Sequence, residues 1–173
     1  MAETRPLTGV ERMLGKDDII VSKTDPKGWI TYANQVFLDI AGYAENEVIG
    51  KPHNILRHPD MPRCVFKLLW DTIQAGEEIF AYVINRTKTG DHYWVFAHVT
   101  PTFDGSGTIR GYHSSRRAPR REAVDAAAAL YRQLRQEEER HDSPKDGLAA
   151  SAALFNRQIV TQAGTYEDFV FSL

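Results

Sequence analysis

Two prolines three residues apart, Pro59 and Pro62, set what the middle of this chain can be. Each locks φ and removes a backbone donor, so no long helix runs through Asn54-Ile55-Leu56-Arg57-His58-Pro59-Asp60-Met61-Pro62. The segment reads instead as a rigid turn that presents a planar cation, an imidazole and a carboxylate: Arg57, His58 and Asp60. Downstream, Phe80 to Asn85 has strand character, Thr89-Gly90-Asp91 is a hairpin turn, and His92 to Thr100 alternates with aromatic and β-branched residues. Arg57 suits an anionic partner, because a guanidinium binds phosphate or carboxylate through two parallel donors. Asn85, on a strand beside a hairpin, offers an amide donor and acceptor to the edge of a planar heterocycle. Taken singly, the first motif is a surface salt-bridge and capping cluster, and the second is a hairpin. Taken in order, they read as two walls of one ligand pocket.

The flanking segments supply a frame for that pocket. Ile19 to Val21 and Trp29 to Tyr32 are two short strands joined by the turn Asp25-Pro26-Lys27-Gly28. Asn34 can cap a helix over Gln35 to Ile40 that Gly42 stops, and a second short helix is expected over Glu45 to Ile49. After the proline turn, Val65, Leu68, Leu69, Thr72 and Ile73 share one helical face, and Gly76 closes that helix. Strands follow over 79–87, 91–101 and 108–117. Two strands, short helices, a longer helix and three strands make an α+β domain: a five-stranded antiparallel sheet with helices over one face.

Composition narrows the possible function classes. A 173-residue chain with 42% hydrophobic and 25% charged residues can build one core plus terminal extensions. A net charge of −2 gives no basic field for nucleic acid. One cysteine, Cys64, excludes an internal disulfide or Cys-rich zinc site and points to a reducing compartment. Without a bilayer-length apolar run, and without a secretory segment in Met1 to Val10, the expectation is a soluble, cytoplasmic protein with no membrane span. No phosphate loop, Gly-x-Ser-x-Gly or paired catalytic carboxylates stand out, so the chain is not expected to be an enzyme.

Ile30-Thr31-Tyr32-Ala33-Asn34, Gly50-Lys51-Pro52-His53-Asn54, Arg57-His58-Pro59-Asp60-Met61-Pro62, Gly90-Asp91-His92-Tyr93-Trp94-Val95, Pro101 and Gly111-Tyr112 together resemble the PAS domains of bacterial aerotaxis receptors. The resemblance runs from Asp18 to Tyr131. It implies a PAS fold and a sensor that binds FAD non-covalently and reports redox state or oxygen. The flavin-binding turn falls on Arg57, His58 and Asp60, the ring-edge asparagine on Asn85 with Tyr93 nearby, and the buried PAS asparagine on Asn34. The implied division is an N-terminal cap over 1–17, a sensor domain over 18–118 and a helical extension over 119–173.

Two departures qualify the resemblance. Ile79 stands where the family has a tryptophan, removing an aromatic wall that Phe80 and Tyr82, at or near the adjacent strand position, would not replace from the opposite face. The alternative is therefore a PAS interaction module without flavin, or with another ligand such as haem. A photoactive cysteinyl site is not expected, because His53 falls where that cysteine would lie and Cys64 sits on the longer helix. His53 and His58 lack further residues at metal-site spacing, so no metal is expected. Receptors of this type also continue into a membrane anchor and a long signalling hairpin that this sequence does not carry. The expectation is a free-standing sensor or a sensory fragment that signals to a protein partner, or to a second copy in a homodimer, through its C-terminal helices. In those helices Val124, Ala127, Tyr131 and Leu134 repeat with heptad-like spacing, which fits either such docking or packing on the chain's own domain.

Overall fold

The computed structural model describes residues 6–173; the expectations placed on residues 1–5 lie outside the described residues. The chain opens with β1 (Ile20–Thr24) and β2 (Ile30–Ala33), joined by a turn in which the Asp25 carboxylate accepts from the Lys27 and Trp29 amides, each at 2.9 Å. Gly28 sits there at φ +84, and a Cβ on it would lie 2.7 Å from the Trp70 ring, so both conformation and space call for glycine. Next come α1 (Gln35–Ala41), α2 (Glu45–Val48) and a one-turn 3-10 segment, His53–Leu56. Pro62 then caps α3 (Arg63–Gln74), where its missing donor costs nothing. Three long strands follow, β3 (Ile79–Arg86), β4 (His92–Phe103) and β5 (Ile109–Arg117), and after them α4 (Arg121–Glu139), α5 (Pro144–Gln162) and α6 (Tyr166–Ser172).

The five strands form one antiparallel sheet in the order β2-β1-β5-β4-β3. Register sets the faces. Asn85 pairs with Tyr93, Ala97 with Arg116 and Ser22 with Ser114, so these residues share the inner face, under α1, α2, the 3-10 turn and α3. β4 runs to Phe103 through Pro101 because β3 has already ended opposite Val99, leaving an open edge that needs no proline N–H.

The short helices and α3 cover the inner face, and the C-terminal extension covers the outer one over β3 and β4. Tyr82, Ile84 and Trp94 on the outer face are buried under Tyr131, Leu134, Phe155, Ile159 and Phe169 of α4, α5 and α6. The heptad-like stripe of α4 is thus spent on the chain's own sheet. The Tyr131 hydroxyl donates to the Tyr82 carbonyl at 2.6 Å and the Tyr166 hydroxyl to the Phe80 carbonyl at 2.7 Å, fastening both helices to the edge strand. At the other end, residues 8–12 run extended beside the β3–β4 hairpin: the His92 amide donates to the Val10 carbonyl at 2.9 Å and the Arg12 amide to the His92 carbonyl at 2.7 Å. Leu14 is buried there, while Val10 and Met13 are exposed.

Candidate functional site

The two polar motifs meet. Arg57, leaving the 3-10 turn, and Asn85, near the end of β3, form an antiparallel backbone bridge that brings the proline turn to the sheet edge. Behind it, between the inner face and α3, lies a cavity of about 90 Å³ with walls of Met61, Trp70, Val83, Ala97 and Val99. Asn85, Arg57, His53, Ser22, Ser114 and Arg116 bring polar atoms to these apolar walls.

The site residues expected from the sequence fall into two groups. Asn85 lines the cavity and is buried, and Arg57 lines it with its guanidinium 4.6 Å from the centre of the Phe66 ring. Tyr93 is fully buried on the same sheet face but does not line the cavity; its hydroxyl has no hydrogen-bond partner within the protein, and burial pushes its pKa up to about 12. The others point elsewhere. Asn34 spends its side chain on the backbone, accepting from Phe37 N and Val21 N and donating to Ile19 O, so it caps α1 and ties it to β1. His58 is buried on the other side of the turn, where its Nδ1 accepts from the Asp60 amide at 3.0 Å and burial lowers its pKa. Asp60 is exposed and ion-paired with Arg135 of α4. Ile79 is buried beside Ile73, Val99 and Tyr112 and does not line the cavity. Phe80 and Tyr82 lie on the outer face, whereas Trp70, from α3, gives the cavity an aromatic wall.

The polar centre of the cavity is a cluster that motif reading passed over. Arg116 is 4% exposed; its Nε donates to Ser114 Oγ at 2.9 Å, and its Nη2 donates to Ser22 Oγ at 2.6 Å and faces His53 Nε2 at 2.8 Å. Its ring-facing side lies 5.8 Å from the Phe37 centroid. Desolvation lowers its pKa to about 10, which still leaves it charged at neutral pH. His53 is held neutral, its pKa pushed down to about 3 by desolvation and then by the Arg116 charge. Neutral His53 can therefore accept at Nε2 from the guanidinium. Strand alternation was the available signal: Tyr112, Ser114 and Arg116 lie two apart, so placing Tyr112 inward places Arg116 inward.

A second groove, of about 410 Å³, opens on the far side of the proline turn between Arg57, His58, Arg63, Arg135 and Glu138, and shares Arg57 and Met61 with the cavity. Glu138 is its hub. The buried carboxylate accepts from Arg63 Nε at 3.2 Å, Cys64 N at 3.1 Å and Ser151 Oγ at 3.1 Å, tying α3, α4 and α5 together. Cys64 is buried at that junction, away from the cavity, with its thiol pKa raised to about 11 by burial. Among the described residues, no group of three His, Cys, Asp or Glu is placed to hold a metal ion.

A model of the PAS fold matches residues 12–113. The chain belongs to the PAS fold family. This PAS domain is 42% identical over 121 residues to the aerotaxis receptor of Escherichia coli (strain K12), an overlap of 70% of this chain and 24% of that protein. It is 30% identical over 93 residues to the bacterioopsin transcriptional activator of Halobacterium salinarum, 54% of this chain and 14% of that one. The chain thus spans a quarter or less of these relatives. Among solved structures, a light-oxygen-voltage domain from a study with a flavin analogue superposes with a TM-score of 0.56 at 24% identity, covering 71% of this chain and 87% of that one, which speaks to fold alone.

Proposed function

We propose that this PAS domain is a flavin-binding sensor of redox state or oxygen, without catalytic turnover, that passes its signal to a protein partner through α4, α5 and α6. The observation that carries the reading is the cavity behind the Arg57–Asn85 bridge, whose apolar and aromatic walls surround a few buried polar groups. The polar groups suit a planar ring with polar edges: Asn85, on the cavity wall, offers an amide, and Arg57 and Arg116 on the same wall bring guanidinium groups. Bound there, a flavin would supply reversible electron uptake, while the chain's residues orient it and set its potential.

FAD is the flavin proposed, because Arg57 lines both the cavity and the adjoining groove, where a dinucleotide's pyrophosphate would meet Arg57 and Arg63. His58 and Asp60 act indirectly in this account, holding the turn's shape and its link to α4. A change in hydrogen bonding at Asn85 reaches β3, whose Phe80 and Tyr82 carbonyls are held by α6 and α4. The proposed compartment is the cytoplasm, and the recipient is a separate protein or a second copy of the chain. Among the described residues, no helix is long and apolar enough to cross a membrane.

The test is the absorption spectrum of purified protein, followed by acid release and chromatography of any chromophore. Flavin bands with released FAD, lost in Arg57→Ala, support the reading. A Soret band points to haem, and a protein that stays colourless after incubation with FAD contradicts the reading in favour of an interaction module.

A further inference from the structure

The two edges of the sheet end differently. The β3 edge is fastened to α4 and α6, and the core under those helices takes residues of β3 and β4 and, among the described residues, none of β1 or β2. The β2 edge is bordered by residues 49–52: Ile30 N donates to Lys51 O and Gly50 N to Ile30 O, each at 2.8 Å, and Trp29 forms a backbone bridge with Pro52. That pairing satisfies backbone groups and leaves side chains uncovered. Trp29 and Tyr32 are each 45% exposed and Ile49 is 38% exposed. Ser22 and Thr24 line the cavity, so Lys23 between them points away from it, with its Nζ 5.9 Å from the centre of the Tyr32 ring on the paired strand.

Charge at this edge is of one sign. Lys23 on β1, Lys27 in the turn before Trp29 and Lys51 beside Ile30 are all exposed. Lys67 and Lys88 pair with Asp71 and Glu47, whereas among the described residues Lys23, Lys27 and Lys51 form no ion pair. Asp25, in the same turn, already accepts from the amides of Lys27 and Trp29. With Glu45, which opens α2 a turn before Ile49, that sets two acids against three lysines. On a chain of net charge −2, the β2 edge is a local positive patch with aromatic side chains in it.

We propose that this edge is a peripheral membrane contact: Trp29, Tyr32 and Ile49 enter the headgroup region of an anionic bilayer, and Lys23, Lys27 and Lys51 sit against the lipid phosphates. Tryptophan and tyrosine settle at the boundary of water and lipid, because the ring is apolar while its N–H or O–H stays wet. A lysine lays its stem along such rings and holds its ammonium at the phosphates, and each one adds attraction to an anionic surface. A second copy of the chain suits the edge less well, since two-fold seating of the edge on itself brings like-charged lysines together. β2 and β3 are opposite edges of the sheet, so a domain held by β2 keeps β3, with the helices fastened to it, away from the lipid and open to a protein partner.

The experiment is co-sedimentation of the full chain with vesicles of phosphatidylcholine alone and of phosphatidylcholine mixed with phosphatidylglycerol, at low and high salt, with tryptophan emission read alongside. Binding is expected to the anionic vesicles only, weakening with salt, and with a blue shift in emission. Trp29→Ala should abolish that shift, because the other two tryptophans, Trp70 and Trp94, face the cavity and the C-terminal helices. Lys23→Gln, Lys27→Gln and Lys51→Gln should each weaken binding about fivefold, and the triple variant about a hundredfold. Lys145→Gln, the same change of charge on α5, should leave binding unchanged, and unaltered thermal melting shows that the variants still fold. None of these readouts needs flavin. A chain that does not sediment with anionic vesicles overturns the proposal, as does binding that Lys145→Gln weakens as much as Lys23→Gln, which reports net charge alone. A chain that ignores vesicles but forms a dimer broken by the triple variant overturns it in favour of a second copy.

Discussion

On the outer face of the sheet, Tyr131 and Tyr166 donate their hydroxyls to the carbonyls of Tyr82 and Phe80, whereas on the inner face Tyr93 and Arg116 keep buried polar atoms without partners. The outer face is closed by the chain's own helices: Leu134 is fully buried, Phe155 and Ile159 nearly so, and Glu138 is satisfied by three donors from α3 and α5. The inner face, walled by Met61, Trp70 and Val83, holds a cation whose contacts do not neutralise it. One sheet therefore separates a surface completed by packing over β3 and β4 from one that leaves buried polar atoms without protein partners.

Substitutions should separate the two faces. The largest loss is expected on the outer face, where Leu134→Ala should cost about 2–5 kcal/mol by cavity creation, read as a lower urea midpoint at unchanged slope. Glu138→Ala should cost about 3 kcal/mol, because it strands Arg63 and the Cys64 amide at a buried junction, and Ser151→Ala, which removes one donor only, should cost less.

On the inner face the sign of the pH effect is set by His53. Its folded pKa of about 3 lies below the ordinary 6.5, so between these values the unfolded chain binds the proton that the folded chain refuses. Stability therefore falls as pH drops below about 6.5, by at most about 1.4 kcal/mol per pH unit, and His53→Gln should flatten the difference between urea midpoints at pH 7 and pH 5. Arg116→Met should move the other way from the outer-face substitutions. In ligand-free protein it removes an uncompensated buried charge and should leave stability unchanged or raise it by about 1 kcal/mol, measured by thermal melting. A clear loss there would make Arg116 a structural staple and erase the contrast between the faces. The smallest effect is expected for Arg135→Ala, since its ion pair with exposed Asp60 contributes under about 1 kcal/mol.

Much of this architecture could be read in the chain because local signals agreed. Asn34 before an apolar helical run and Gly42 after it mark α1, Pro59 and Pro62 mark the turn, and Thr89-Gly90-Asp91 marks the hairpin that sets Asn85 opposite Tyr93. What escaped depended on facing. Arg57, His58 and Asp60 adjoin in sequence, yet the turn sends Arg57 to the cavity, His58 behind it and Asp60 to α4, and no periodicity applies inside a turn. Arg116 was hidden in the run Arg116-Arg117-Ala118-Pro119-Arg120-Arg121, which has the composition of a solvated basic segment and masks the alternation that carries it inward with Tyr112 and Ser114. The apolar stripe of α4 was visible as well, but a stripe states that a face is buried and not against what.

The central claim is that the state of the inner face is read by helices on the outer one. Amide hydrogen exchange on flavin-loaded protein, oxidised and then reduced with dithionite under otherwise identical conditions, tests it most directly. The account predicts that reduction changes protection in β3 around Phe80 to Asn85 and in α4 and α6, whose tyrosines hold that strand, while α1 exchanges as before. Bleaching of the flavin with no change in exchange anywhere in β3, α4 or α6 would contradict it.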